Sequence, residues 1–262
     1  MRTETVISER RACELVGIYR STLRYTAQQS TETSALRARI VELAQERRRF
    51  GYRRIHALLR REGQSVNHKR VYRLYSEAKL AVKRRKRRKG IMMPREPLML
   101  PTKRNEVWSI DFVMDALATG RRIKILTVVD DCTKEAIDLA VDFGISGHYV
   151  TRILDQAARF RGYPKAIRTD QGPEFTGKAL DQWAYTHGIQ LKLIQPGKPT
   201  QNAFIESFNG KFRDECLNEH WFHTLCHARA VIRQWRTDYN ECRPHSMLGY
   251  KTPAEVAEQL RS

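Results

Sequence analysis

Asp111, Asp170 and Glu206 are the residues of this chain best placed by type and setting to do chemistry. Asp111 lies in Val-Trp-Ser-Ile-Asp-Phe-Val. Asp170 follows Ile-Arg-Thr and precedes Gln-Gly-Pro-Glu-Phe, and Glu206 sits in Pro-Thr-Gln-Asn-Ala-Phe-Ile-Glu-Ser-Phe-Asn-Gly-Lys-Phe-Arg. Thirty-five residues separate Asp170 from Glu206. Carboxylates that converge without a countercharge repel one another, and divalent cations relieve that repulsion. The three are therefore read as one metal site.

Each acid also has a plainer reading. Asp170 suits a turn before Gly172-Pro173, and Glu206 suits the positive end of a helix. Asp115 shares the strand face of Asp111 but stands four residues, roughly 13 Å, further along it, too far to share an ion. Asp130, Asp131 and Glu174 remain alternatives on spacing alone.

The elements that must position these acids begin near residue 102. Strand periodicity covers 106–114, 122–129 and 136–141, close enough together for an antiparallel meander. A helix over 146–161 ends at Gly162. A short strand, 166–169, runs into Asp170, followed by a helix (177–187), a strand (190–194) and a long helix (202–216). This alternation predicts a mixed α/β sheet with flanking helices. Asp111 falls mid-strand, with Ile110 and Phe112 facing the other way. At 100° per residue, Phe204, Ile205, Phe208 and Phe212 share one arc of the last helix, and Glu206, Asn209 and Arg213 share the opposite side.

The chain carries a net charge of +19, and 26 of its 48 lysines and arginines, against 9 of 29 acids, fall in residues 1–100. A polycationic third joined to a near-neutral domain points to nucleic acid as the partner. An anionic membrane surface is the weaker match, because no long apolar helix accompanies the charge. Ser8 is placed to cap a helix closed by Gly17, and Ser21 a second short one at 22–25, so residues 1–32 read as a helix-turn-helix-like segment. Residues 33–82 read as an all-α DNA-binding domain, with apolar residues at Leu36, Ile40 and Leu43, then Ile55, Leu58 and Leu59, then Val71, Leu74 and Tyr75. Lys69, Arg70 and Arg73 follow a helix start capped by Asn67, a setting suited to phosphate contact. Arg47-Arg48-Arg49 and Arg53-Arg54 add to the same charge.

The run Lys83-Arg84-Arg85-Lys86-Arg87-Arg88-Lys89 needs phosphates to neutralise it. With Pro94, Pro97 and Pro101 it forms a basic, extended linker over 83–101. A core over 102–218 and a helical extension over 219–262 complete the division. Five cysteines without a CxxC pair fit reduced thiols. With no secretory or membrane-spanning segment, the expected location is the cytoplasm. Cys216, His220, His223, Cys226 and His227 invite a zinc reading, but their spacing matches no usual site.

The motifs around Asp111, Asp170 and Glu206, with Arg213 seven positions beyond the glutamate and Tyr-Asn-Glu-Cys-Arg-Pro-His-Ser-Met-Leu-Gly-Tyr-Lys-Thr-Pro at 239–253, resemble the D,D(35)E core of retroviral integrases and bacterial insertion-sequence transposases. The stretch 47–89 resembles the helical DNA-binding segment that precedes this core in such transposases. The resemblance implies a ribonuclease H-like fold preceded by an all-α helix-turn-helix-like region, and Asp111, Asp170 and Glu206 as catalytic metal ligands. It implies Mg²⁺ or Mn²⁺, read as two ions: one activates water or a DNA 3′-OH and the other stabilises the leaving oxygen. Cleavage at transposon ends and strand transfer into target DNA follow, with terminal repeats and target DNA as partners and a homo-oligomer assembled on them. Arg213 and Asn209 are expected to hold DNA phosphate. The chain looks like the downstream-frame product of a two-frame element, since it lacks sustained heptads, which makes the upstream-frame product a candidate partner. A DNA-binding regulator without turnover, or a structure-selective nuclease, is the competing reading.

Overall fold

The computed structural model describes residues 7–25, 30–82, 101–194 and 202–261. The basic run Lys83, Arg84, Arg85, Lys86, Arg87, Arg88 and Lys89 lies outside the described residues, as does most of the proline-rich linker.

Ser8 caps helix α1 (Glu9–Val16) by accepting from the Arg11 N–H, and Gly17 closes it at φ 69°. Helix α2 (Arg20–Leu23) begins after Tyr19, which has no side-chain cap bond, so it starts earlier than a Ser21 cap predicts. Glu9 in the first turn of α1 takes Arg20 at 3.6 Å and Arg24 at 2.8 Å, exposed pairs that tie the two short helices together.

Helices α3 (Thr31–Glu46), α4 (Tyr52–Arg61) and α5 (His68–Glu77) form the next unit. Leu36, Ile40, Leu43, Ile55, Leu59, Val71, Leu74 and Tyr75 make its core, and Leu58 packs partly buried against it. Three short helices stand because their apolar stripes face one another, while single caps such as Asn67 on the Lys69 N–H set their ends.

The larger unit holds strands β1 (Val107–Ala116), β2 (Arg122–Asp130), β3 (Ala136–Asp142), β4 (Ala166–Thr169) and β5 (Gln190–Leu193). Their spatial order is β3-β2-β1-β4-β5. The first three form the expected antiparallel meander, and β4 and β5 add in parallel on the far side of β1. Helices α6 (Gly147–Arg161) and α7 (Lys178–Thr186) cover one face through Trp108, Ile110, Leu126 and Val128. Helices α8 (Ala203–Glu215) and α9 (Leu225–Glu241) cover the other through Val113, Ile123, Ile125 and Val141. Period-two alternation along β1 therefore decides which helix each side chain meets. This is the mixed sheet with flanking helices that the sequence predicts.

Helix α9 also closes the sheet edge. Arg229 donates to the Val141 carbonyl at 2.9 Å and Arg236 to that of Ile137 at 3.0 Å, while Asn240 bonds both the N–H and the carbonyl of Ala136. Side chains thus occupy backbone groups that an open edge strand would offer to another chain. Helix α10 (Pro253–Gln259) starts from a reciprocal cap between Thr252 and Glu255.

His245, between α9 and α10, is buried, and burial together with the cations Lys211, Arg243, Arg54 and Lys134 pushes its imidazole down to about 3. The unfolded chain takes up a proton near 6.5 that the folded chain refuses until about 3, so stability falls as the pH drops through that window. The slope is up to about 1.4 kcal/mol per pH unit from this residue. Urea unfolding at a series of pH values should show it, and His245→Gln should flatten it.

Candidate active site

Asp111 sits on the central strand, paired across to Thr127 of β2, on the face covered by α8. One carboxylate oxygen accepts the Phe112 N–H at 2.7 Å, and the other accepts the Asn209 side-chain amide of α8 at 2.8 Å. The Thr127 hydroxyl holds the Asp111 carbonyl at 3.1 Å. Burial pushes the Asp111 carboxyl up to about 6; the Phe112 N–H opposes this, the Asp170 charge adds to it, and the Asn209 bond and the Glu206 charge act in turn to lower and raise it. Two further acids therefore lie within electrostatic range of the first.

Strand pairing explains how Asp170 gets there. Ser109 of β1 stands opposite Arg168 of β4 in parallel register. Asp170 follows directly on the end of β4, the neighbour of the central strand, and its charge reaches Asp111. Asp170 is exposed and its Oδ1 accepts the Gly172 N–H at 3.1 Å, so it is a turn residue as well as a candidate ligand. Gly172 has a physical reason to lack a side chain: a Cβ there would stand 3.2 Å from that oxygen. Phe175, buried and stacked on Phe112 at 4.8 Å, pins the far end of the loop next to Asp111.

Glu206 occupies the first turn of α8 and is exposed. Ile205, Phe208 and Phe212 are buried beneath the same helix. Phe204, expected among them, is only half-buried and carries the Lys134 ammonium 3.5 Å from its ring centre. Arg213 is exposed on the Glu206 side. Asn209 is half-buried and reaches Asp111, a contact that its helix position alone does not reveal because 98 residues separate the two.

The alternative acids are otherwise engaged. Asp130 takes Arg161 and the N–H groups of Asn105, Cys132 and Thr133. Asp131, fully buried, takes Arg168 and the Ser109 hydroxyl, and Glu174 takes Lys124. Among the described residues Asp111, Asp170 and Glu206 form no ion pair within 4.0 Å. The Asn209 side-chain oxygen, on the amide whose nitrogen meets Asp111, is buried with no partner. Three uncompensated carboxylates and a spare acceptor suit a hard, water-bearing divalent cation. Among the described residues no three His, Cys, Asp or Glu side chains already stand as a closed ligand set, so a bound ion would draw the exposed Asp170 and Glu206 inward.

Of the expected DNA contacts in the helical unit, Lys69 and Arg73 are exposed on α5, with Arg73 3.7 Å from Glu77. Arg70 is half-buried and tied to Glu32 and Thr33, so it braces α5 against α3. In the cysteine and histidine stretch, Cys216 is buried, with its thiol pushed up to about 12, and His220 bonds the Cys216 carbonyl. No described helix is long and apolar enough to cross a membrane.

This five-stranded mixed sheet with helices on both faces has a ribonuclease H-like architecture of the integrase-core kind. Integrase core domain models match residues 101–199 and 187–253, and an HTH-like domain model matches 32–88. The chain is 70% identical to the insertion element IS407 uncharacterized 31.7 kDa protein of Burkholderia multivorans, over all of this chain and 95% of that protein. It is 58% identical to the insertion element IS476 uncharacterized 39.2 kDa protein of Xanthomonas euvesicatoria, over all of this chain and 76% of that one. The putative transposase InsK for insertion sequence element IS150 of Escherichia coli K12 is 29% identical, over 86% of this chain and 83% of its own length. A chain of the simian T-cell lymphotropic virus intasome, solved with the PP2A regulatory subunit B56 gamma, shares the fold. It has a TM-score of 0.53 at 15% identity over 83% of this chain and 74% of that one. The chain belongs to the insertion-element transposases with an HTH-like domain ahead of an integrase core, and is a DDE-type polynucleotidyl transferase.

Proposed function

We propose that Asp111, Asp170 and Glu206 are the catalytic acids, and that they hold Mg²⁺ or Mn²⁺, as two ions, while the enzyme cuts transposon ends and joins them to target DNA. The observation that supports this reading is that Asp170 and Glu206 lie within electrostatic range of Asp111 and that none of the three has a cation paired to it among the described residues, whereas Asp130, Asp131 and Glu174 each have one. The ions would supply a polarised phosphoryl oxygen and a deprotonated nucleophile at neutral pH.

The chain's own residues do the positioning. Phe112 N–H and Asn209 hold the Asp111 carboxylate in one orientation, and Gly172 N–H holds one oxygen of Asp170. Water, losing a proton, would attack phosphorus as the bond to the donor 3′-oxygen breaks and that oxygen takes up a proton; the freed 3′-OH, losing its proton, would then attack a target phosphodiester, breaking its bond to the target strand's own 3′-oxygen, which leaves as a 3′-OH. Arg213, exposed on the Glu206 side, is placed for a phosphate of the bound strand, and Lys69 and Arg73 on α5 for the terminal repeat. Asn209, expected at a phosphate, serves Asp111 instead. Basic residues 83–89 would add phosphate contacts. Handling two ends calls for at least two copies assembled on DNA in the cytoplasm, with the upstream-frame product as a further partner.

The test is incubation of the protein with Mg²⁺, target plasmid and labelled terminal-repeat DNA. Joined products are expected. Cleavage without joining would make it a nuclease, and a mobility shift alone a regulator.

A further inference from the structure

The motif at 239–253 has no part in the site described above, and neither do the arginines between α3 and α4. The structure brings them together. Arg243, only 1% exposed, donates two hydrogen bonds, at 2.7 and 2.6 Å, to Glu215, the last residue of α8. Arg54 of α4 approaches the same carboxylate at 3.7 Å. The Phe50 ring takes the guanidinium groups of Arg47, Arg54 and Arg243 at 5.9, 5.2 and 5.7 Å. Arg47 forms a two-pronged pair with Asp238 of α9 at 2.6 and 2.5 Å. At the rim Arg61 meets Glu255 at 2.7 Å, and Arg48 and Arg49 face Glu219 at 3.7 and 3.4 Å.

We propose that the Arg47–Arg54 turn of the HTH-like unit is a docking joint, seated within the same chain on Asp238 and Glu215, that couples DNA reading to the position of α8. Arg47 and Arg54 act as positioning residues and touch no DNA. Two features support the coupling. Helix α4 is shared: Ile55 and Leu59 pack on the α5 side, while Arg54 reaches α8. Helix α8 is one rigid rod, so Glu215 is only nine residues, about 14 Å along the axis, from Glu206. Five arginines of one unit matched to four acids of the other make the fit specific, and a two-pronged arginine pair fixes orientation as well as distance.

The inference rests in part on the function proposed above, so the test has two readouts: cleavage of terminal-repeat DNA and hydrogen exchange of the 47–54 amides in the DNA-free protein. Arg47→Asp and Asp238→Arg should each lower end cleavage at least tenfold and raise exchange at 47–54, while DNA affinity stays within about twofold. The double exchange R47D/D238R should return both readouts to near the parent values. Asp238→Asn, a milder change, should fall between. Single variants that cleave like the parent would overturn the coupling, as would a swap that closes the joint without restoring cleavage. Restoration on mixing the two single-variant proteins would place the joint between copies and overturn its seating within one chain. If no protein cleaves, the parent included, while exchange still follows the swap, the joint stands and the proposed function fails.

Discussion

Replacing Asp111 with asparagine is expected to give a protein that is more stable, binds terminal-repeat DNA as well as before, and no longer cuts it. The stability gain follows from the setting of the carboxylate. It is largely buried, it faces the charges of Asp170 and Glu206, and its carboxyl is held up at about 6. For an acid whose folded value lies above its ordinary one, ionisation costs folding energy. Here stability is lost as the pH rises from 3.8 to about 6 and stays lost at neutral pH. After screening of a partly exposed group, that cost is about 2 kcal/mol. Asparagine removes the charge and keeps the shape. Its carbonyl accepts the Phe112 N–H, and Asn209 turns its amide over, so that its unpartnered oxygen faces the new NH₂ group.

The catalytic loss should be on the order of 10³-fold or more, because a metal-bound transition state loses several kcal/mol. Asn209→Leu, by contrast, leaves all three acids and removes only the bond that orients one of them. A fall of about 10- to 100-fold is expected there, as for residues behind a metal ligand. Thermal unfolding with and without Mg²⁺ separates the cases. The ion should raise the midpoint of the parent, and raise it much less in Asp111→Asn. An Asp111→Asn protein less stable than the parent would show that the acids do not repel.

The sequence makes the outline of this site legible and hides its fastenings. Glu206 and Arg213 fall on one side of α8 by helical periodicity, and Asp111 faces away from Ile110 and Phe112 by strand alternation. Both are local regularities, and both are visible in the order of residues. What links Asn209 to Asp111, or Arg47 to Asp238, is strand order and helix docking, contacts across 98 and 191 residues. No local pattern carries them. The arginines at 47–54 look DNA-facing in sequence because positive charge is the only property on display there; their acids lie at 215, 219 and 238. The same holds for Arg70, which spends its charge on Glu32. The second N-terminal helix starts earlier than its serine suggests, at Arg20, which with Arg24 pairs to Glu9 of the first helix. Charge counts therefore indicate a nucleic-acid partner more reliably than they indicate which arginine meets it.

Arg243→Met is expected to have the largest effect on stability, lowering it by about 3 kcal/mol. The arginine lies between the rings of Phe50 and Tyr239, with centres 5.7 and 5.3 Å away, and burial opposes its charge while Glu215 sustains it. Methionine fills most of the space but strands Glu215, whose side chain is 12% exposed. Removing one member of a buried pair costs about 3–5 kcal/mol, and Arg54, already 3.7 Å from the same carboxylate, should hold the loss to the low end. For a chain of this size that is a fall of roughly 6–12 °C in Tm. Adding Glu215→Leu should recover part of it, since an apolar pair leaves no stranded charge. Recovery has a second consequence. The Arg243→Met/Glu215→Leu protein would be folded but would lack the carboxylate that Arg54 reaches, so its stability and its end cleavage should part company. Stability should return towards that of the parent, while cleavage should stay low. A double variant that regains both would reduce the Arg243–Glu215 pair to a packing element and leave Asp238 as the joint's only anchor of consequence. One that regains stability alone would show that this carboxylate, at the far end of the helix bearing Glu206, sets where that helix lies.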